Sequence, residues 1–184
     1  MPYIQVSIPK NGNGAGCATP KVAEIIIIDV DDIKNEPTRT VGDPKMVGDY
    51  ELNQEAKAVA IYATPSTSDI TEEYSGEADA RGVKQGVAFE HPGDDVVIKG
   101  FTEAYMNRGV VAMVKVCDGA SHRTIVCGSK CNPLFMSVES TNNKDATKRK
   151  FTFKQELNDK FLPGDYSGAE ITVADPAKNE QEGA

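Results

Sequence analysis

Gly82-Val-Lys-Gln-Gly-Val-Ala-Phe-Glu-His-Pro-Gly-Asp-Asp-Val-Val-Ile-Lys-Gly-Phe-Thr-Glu-Ala-Tyr-Met-Asn-Arg-Gly-Val-Val-Ala-Met-Val-Lys-Val-Cys117 changes its hydrophobic period twice, and those changes decide the fold. Val83, Gln85, Val87 and Phe89 put a bulky or apolar group at alternate positions, as a strand does, until His91-Pro92-Gly93 ends the run. From Asp94 the period lengthens. Val97, Ile98, Phe101, Tyr105 and Met106 recur three and four residues apart, lining one face of a helix over about 94–108. Gly93 or Asp94 can cap its start, Asp95 suits the first turn, and Arg108-Gly109 supplies a cation and a stop. Gly100 within it costs about 1 kcal/mol relative to Ala, so packing rather than propensity must hold the helix. The expected packing partner is the hairpin that follows. Val110 to Cys117 is β-prone, Asp118-Gly119 is a turn signal, and Arg123 to Cys127 returns.

Working outward, the 184 residues suit a single β-rich domain over 1–174. An N-terminal arm (1–20) and a long loop (34–50) belong to it, and a disordered polar tail (175–184) follows. Tyr3 to Ile8 alternates as a first strand or arm would. Glu24 to Val30 holds four consecutive isoleucines and reads as a strand covered on both faces. Further strands are expected over Lys57–Ala63, Ile70–Ala80 (broken near Ser75-Gly76), Leu134–Glu139, Lys150–Lys154 and Ala169–Val173, with turns at Thr141–Asp145 and Phe161–Tyr166. In Lys150-Phe-Thr-Phe-Lys154 the two phenylalanines must face one side together. The fold class is α+β, mainly β: an antiparallel β-sandwich or barrel of eight to ten strands with one packed helix.

Composition excludes several functions. No run approaches the roughly 18 apolar residues of a membrane span. Met1-Pro2-Tyr3-Ile4-Gln5 lacks the features of a signal peptide, so a cytoplasmic protein is expected. A net charge of −8, with Lys148-Arg149-Lys150 the one dense basic cluster, argues against general nucleic-acid binding. It suits a surface past which DNA moves without sticking.

Motifs for chemistry fall short. Asn11-Gly-Asn-Gly-Ala-Gly16 is glycine-rich but lacks the Gly-Lys-Ser/Thr ending of a phosphate loop, and reads as a flexible loop. Asp29, Asp31 and Asp32 lack the glycine and glutamate of a calcium loop and read as a charged turn. Cys117, His122, Cys127 and Cys131 could be drawn as four zinc ligands if the hairpin set Cys117 opposite His122. The three-residue gap in Cys127-Gly-Ser-Lys-Cys131 favours free thiols, with Cys117 and Cys127 buried as small hydrophobes. His91 before Pro92 reads as a structural or exposed imidazole. Adjacent acids such as Glu72-Glu73 and Asp94-Asp95 diverge on a strand or a helix. No catalytic residue, cofactor site or metal site is assigned, and the chain is not expected to be an enzyme.

From about Ala56 onward, the chain resembles the tail tube (major tail) proteins of long-tailed bacteriophages, related to the tube proteins of type VI secretion. Gly86-Val-Ala-Phe-Glu-His-Pro-Gly93 leading into the helix, Arg123-Thr-Ile-Val-Cys-Gly128, Pro133-Leu134 and Lys150-Phe-Thr-Phe-Lys154 carry the resemblance. It implies a virion structural protein, assembled in the host cytoplasm, whose hexameric rings stack into a tube. An inner β-barrel would line an acidic lumen for passive DNA passage, with the helix outside. Glu72, Glu77, Asp79 and Glu90 are candidates for that lumen. The glycine-rich segment and the 34–50 loop would order as contacts between rings, and other phage tail proteins would be partners. The alternatives are a tail terminator, neck or head-decoration protein, and a small zinc module.

Overall fold

Both faces of the strand Val110–Asp118 carry buried side chains, and the sheet is built around it. The computed structural model describes residues 6–10, 12, 16–118 and 121–176, and contains thirteen strands, one α-helix and two short 3-10 turns. With strands numbered in chain order, β9 (Val110–Asp118) lies antiparallel between β1 (Lys21–Asp29) and β10 (Ser121–Cys127). Beyond β1 lies β6 (Val59–Tyr62), and beyond β10 lie β13 (Gly164–Tyr166), β4 (Asp43–Val47) and β3 (Thr38–Thr40). Where β10 ends, β11 (Leu134–Asn142) takes over its side of β9 through one pair, Leu134 with Val110. The path then runs through β12 (Thr147–Gln155) and β8 (Gly82–Pro92) to β7 (Asp69–Ser75). These eleven strands form one mixed sheet that does not close into a barrel. β2 (Ile33–Asn35) and β5 (Glu51–Leu52) make a separate small ladder.

The two arms of this sheet share one core. Ile25, Ile27, Ala112, Val114 and Val116 from one arm cluster with Val87, Phe89, Leu134, Phe151 and Phe153 from the other. Phe151 and Phe153 are fully buried, and both stack on Phe89, with ring centroids 5.4 and 6.1 Å away. The isoleucine run does have both faces covered, because its alternate members face different cores. Ile26 and Ile28 join Val111, Met113, Val126, Ile33, Met46, Tyr50 and Tyr166 in a second cluster.

The helix α1 (Val96–Tyr105) is shorter than the 94–108 expected, and Asp95, not Gly93 or Asp94, caps it. Its Oδ1 accepts from the Ile98 N–H at 2.9 Å. Ile98, Phe101 and Tyr105 face the core, whereas Val97 and Met106 are exposed. The helix meets the second arm of the sheet, with Phe101 edge-on to Phe151 at 6.1 Å, rather than resting on the hairpin alone. Gly109 follows because β9 starts against Pro133, where a Cβ would come within 2.8 Å of the proline ring.

Several segments differ from expectation. Residues 34–50 are not one irregular loop: they include β3 and β4, which complete the first arm. Phe161–Tyr166 is not a simple turn, since its end is β13, parallel to β4. Ala169–Val173 is not a strand; only an isolated bridge joins Val173 to Ala58, although Ile171 and Val173 pack on the second cluster. The expected strand at Tyr3–Ile8 is absent from residues 6–8, and its remainder lies outside the described residues, as do 177–184. Asp29 does not belong to a solvated turn. It is 3% exposed, accepts from the Asp31 N–H, and pairs with Arg108 Nη1 at 2.5 Å. That pairing takes Arg108 away from the end of the helix.

Candidate functional site

The open borders of the sheet are unequal. β3 is three residues long. β6 lies against the helix: Val59–Tyr62 line a 250 Å³ groove with Ile98 and Phe101, and His91 Nδ1 sits 2.9 Å from the Tyr62 carbonyl oxygen. The expected structural role of His91 fits that contact. The remaining borders belong to β7 and β11: among the described residues, β7 pairs only with β8, and β11 beyond Leu134 only with β12. Among the described residues, no main-chain hydrogen bond reaches the outer border of either strand.

Between those borders lies the four-stranded surface β7-β8-β12-β11, antiparallel throughout, so β7 and β11 run in opposite directions. Register sends Val87, Phe89, Phe151 and Phe153 inward and Thr71, Gly86, Ala88, Thr152 and Ser137 outward, leaving a shallow middle. Gly86 has to be small. A Cβ there would lie 2.6 Å from Thr71 Oγ1 and 3.2 Å from the Phe153 carbonyl oxygen. Its bare backbone lets Lys154 reach over β8 to pair with Glu73. Lys148 similarly bonds Glu90 at 2.8 Å. Asp69, Glu73, Glu90 and Glu139 on this face are matched by Lys84, Lys148, Lys150 and Lys154. Of the four acids singled out in the sequence, Glu90 lies here. Glu72 points to the other face of β7, and Glu77 and Asp79 occupy the turn beyond it.

At one end of this surface, segments from four parts of the chain enclose a 740 Å³ cleft. Residues 36–39, Met46 and Tyr50 form one wall; 128–132 and 157–161 form the other. Two buried glutamines fix the second wall. Gln85 Oε1 accepts from the Gly128 N–H at 2.9 Å, and its Nε2 donates to the Phe161 carbonyl at 2.8 Å. Gln155 Oε1 accepts from the Gln85 N–H, while its Nε2 donates to the Asn132 carbonyl, both at 2.9 Å. Across the cleft, Arg39 donates to the Leu162 carbonyl, and its guanidinium carbon lies 4.9 Å from the Phe161 ring centroid. Its Nε and the hydroxyl of Tyr50 are buried without a hydrogen-bond partner among the described residues. Burial, then the neighbouring Glu36, pushes the Tyr50 phenol well above its ordinary value. Burial also lowers the Arg39 value, against the pull of Asp159.

Comparison with protein-family models, curated proteins and solved structures finds no match.

The possible zinc ligands do not converge. Cys117 pairs with His122, as the hairpin predicts, but Cys127 lies five residues further along β10, roughly 17 Å at strand spacing. Zinc-bound sulfurs sit at about 2.3 Å from the metal, so these groups cannot share an ion. Cys127 is fully buried, and burial pushes its thiol up to about 12. Cys131 is exposed beside the end cleft. Among the described residues, no three His, Cys, Asp or Glu side chains are grouped to hold a metal. No helix among them is long and apolar enough to cross a membrane.

Arg39, Tyr50, Gln85 and Gln155 escaped the sequence reading. The two glutamines gave a local signal: Gln85 occupies an inward position between Val83 and Val87, and Gln155 continues the inward parity of Phe151 and Phe153. At the opposite end of the surface, Asp94 bonds Arg149 Nη2 at 2.5 Å and Lys99 at 3.2 Å. Arg149 chiefly holds the Asp94 carboxyl below its usual range. The ionised carboxylate therefore stabilises the fold at neutral pH, and this contribution fades as pH falls through the depressed folded value. Asp94→Asn should lower Tm at pH 7, with the gap to the native chain shrinking below about pH 3.9. Parallel Tm-against-pH curves for the two proteins would contradict this linkage.

Proposed function

We propose that this chain is a tail tube subunit of a bacteriophage virion, assembling into stacked rings through which DNA passes. The supporting observation is the pair of long, opposed open borders on β7 and β11. An unpaired border is an aggregation hazard that a folded protein normally covers or closes. Rotating copies about an axis beside this surface brings β7 of one to β11 of the next. Because the two strands are antiparallel within a copy, they meet antiparallel between copies. The four-stranded surfaces then join into one continuous barrel, a heterologous contact that closes as a ring.

In that ring the shallow face of Gly86, Ala88, Thr71, Thr152 and Ser137 lines the bore. The phenylalanine core and the first arm lie outside. With four acids and four lysines this face is balanced in charge, not the acidic lumen expected. Salt bridges tie up Glu73, Glu90, Lys148 and Lys154, leaving Lys84 and Lys150 as the cations that would meet passing DNA. The bore conducts; it does not bind or react. The resemblance from Ala56 onward supplies the phage context, and six copies per ring is the number it implies.

Negative-stain images of the purified protein at rising concentration test this reading. Rings and tubes with a central channel are expected. Closed rings that never stack would move the reading to a tail terminator or neck component. Particles without any channel, remaining monomeric at high concentration, would overturn it.

A further inference from the structure

In an antiparallel sheet each residue turns its N–H and C=O to one side, and successive residues alternate. Val83 exchanges main-chain hydrogen bonds with Asp159 on the β12 side of β8, and the Glu90 carbonyl accepts from the Thr64 N–H on the β7 side. Carried across the registers, that alternation settles both open borders. β7 turns the main-chain groups of Ile70, Glu72 and Tyr74 to its border, and β11 those of Met136, Val138, Ser140 and Asn142. The side chains of these same residues lie on the core face of the sheet. Ile70, Met136 and Val138 are only partly buried there, and Tyr74 is 67% exposed. An apolar row thus stops at each border together with a row of unpaired backbone groups.

The opposite face carries the charge that sets the register. Asp69, Thr71 and Glu73 alternate along β7, and Glu139 is the one acid on β11. Like charges directly opposite one another destabilise a pair of strands. Glu139 therefore belongs opposite Thr71, because a slip of two residues either way sets it against Asp69 or Glu73. A slip of one residue would turn the apolar rows to opposite faces.

We infer that β7 of one copy pairs with β11 of the next in a single register: Ile70 opposite Ser140, Glu72 opposite Val138, and Tyr74 opposite Met136. The inference rests on the ring reading above and deepens it by fixing which residues join the copies. Every border residue of β7 finds a partner, and the Tyr74 ring leaves water for the Met136 thioether, a favourable contact. The same register sets the strand tilt. Within one copy Ile70, Val87, Phe153 and Met136 form a row straight across the surface. At the joint Ile70 meets Ser140 instead, four residues beyond Met136. That stagger is one residue per strand, which tilts barrel strands by about 36° whatever the number of copies.

Glu73 and Ser137 would then form a non-hydrogen-bonded pair, with Cα atoms about 4.5 Å apart, close enough for a disulfide. Within one copy β7 and β11 are three strand spacings apart, about 14 Å, so such a bridge joins two copies only. Glu73→Cys combined with Ser137→Cys, oxidised with glutathione disulfide after assembly, should give a ladder of covalent oligomers on a non-reducing gel, ending at the closed ring. Glu73→Cys with Phe135→Cys, or with Glu139→Cys, leaves the thiols on a diagonal about 7–8 Å long at Cα and should give no more than about a tenth as much. The native chain, whose Cys17 and Cys131 are exposed, sets the background. As a second readout, Thr71→Glu should raise the concentration needed for rings about threefold by facing Glu139, whereas Thr71→Lys should not. Rings that bridge position 73 to 135 or 139 in preference to 137, or equal thresholds for the two Thr71 variants, would overturn the register and leave the ring reading intact. Rings in which none of the three pairs bridges above background, or no rings at all, would overturn both.

Discussion

Phe151→Ala is expected to cost about 3–5 kcal/mol. Phe151 has no solvent exposure and stacks on Phe89 at 5.4 Å and Phe153 at 6.4 Å, with Phe101 edge-on. It touches the helix and two adjacent strands at once, so the cavity left by truncation lies where the second arm meets α1. Neither arm can collapse into it, because β12 is held in register on both sides by β8 and β11. A domain of this size has a net stability of about 5–15 kcal/mol, so the variant should be marginal. Urea unfolding monitored by circular dichroism checks this. A midpoint shift worth less than about 1 kcal/mol would mean that the stacked rings do not form the centre of the core.

Gln85→Leu is expected to destabilise for the opposite reason. Leucine is close to glutamine in volume, so little cavity forms. What it removes are partners, leaving the buried Gly128 N–H and the part-buried Phe161 carbonyl without a hydrogen bond. The orphaned Gly128 N–H costs about 1–3 kcal/mol, and the part-buried Phe161 carbonyl, which water can reach, adds less. Because those bonds anchor both loops of one cleft wall, exchange of amide hydrogens should rise in 128–132 and 156–162 before it rises in β12. Ser137→Ala on the outward face, by contrast, should stay within about 0.5 kcal/mol of native. Gln85→Leu as stable as Ser137→Ala would show that the glutamine network does not hold the cleft.

How far the sequence could be read follows from the range of each interaction. The strands of the Gly82–Cys127 region announce themselves by period, and Phe151 and Phe153 face inward together as Lys150-Phe-Thr-Phe-Lys154 demands. The hairpin register that sets Cys117 opposite His122 follows from its turn. Non-local pairing left no such trace. β13 and β4 lie more than a hundred residues apart and pair over two residues, among prolines and glycines that read as loop. Asp29 hid inside an acidic run although it continues the inward parity of Ile25 and Ile27, because its partner Arg108 lies 79 residues away. The end cleft was illegible for the same reason: Arg39, Tyr50, Gly128 and Phe161 meet only after the sheet has folded.

The helix start shows how two adjacent acids divide their work. Asp95 caps the first turn, whereas Asp94 turns to Arg149 and Lys99. On sequence grounds the cap falls at Gly93 or Asp94, with Asp95 in the first turn. Tertiary charge decides, because Arg149 on the inward side of β12 lies within reach of Asp94.

Hydrogen exchange followed by mass spectrometry across a concentration series tests most directly whether β7 and β11 find each other between copies. The β7 segment (69–75) and the β11 segment (135–142) should gain protection together as assembly proceeds, while the helix-covered β6 segment (59–62) stays unchanged. Exchange in 69–75 and 135–142 that is equally fast at every concentration, or protection of one without the other, would contradict the proposed ring.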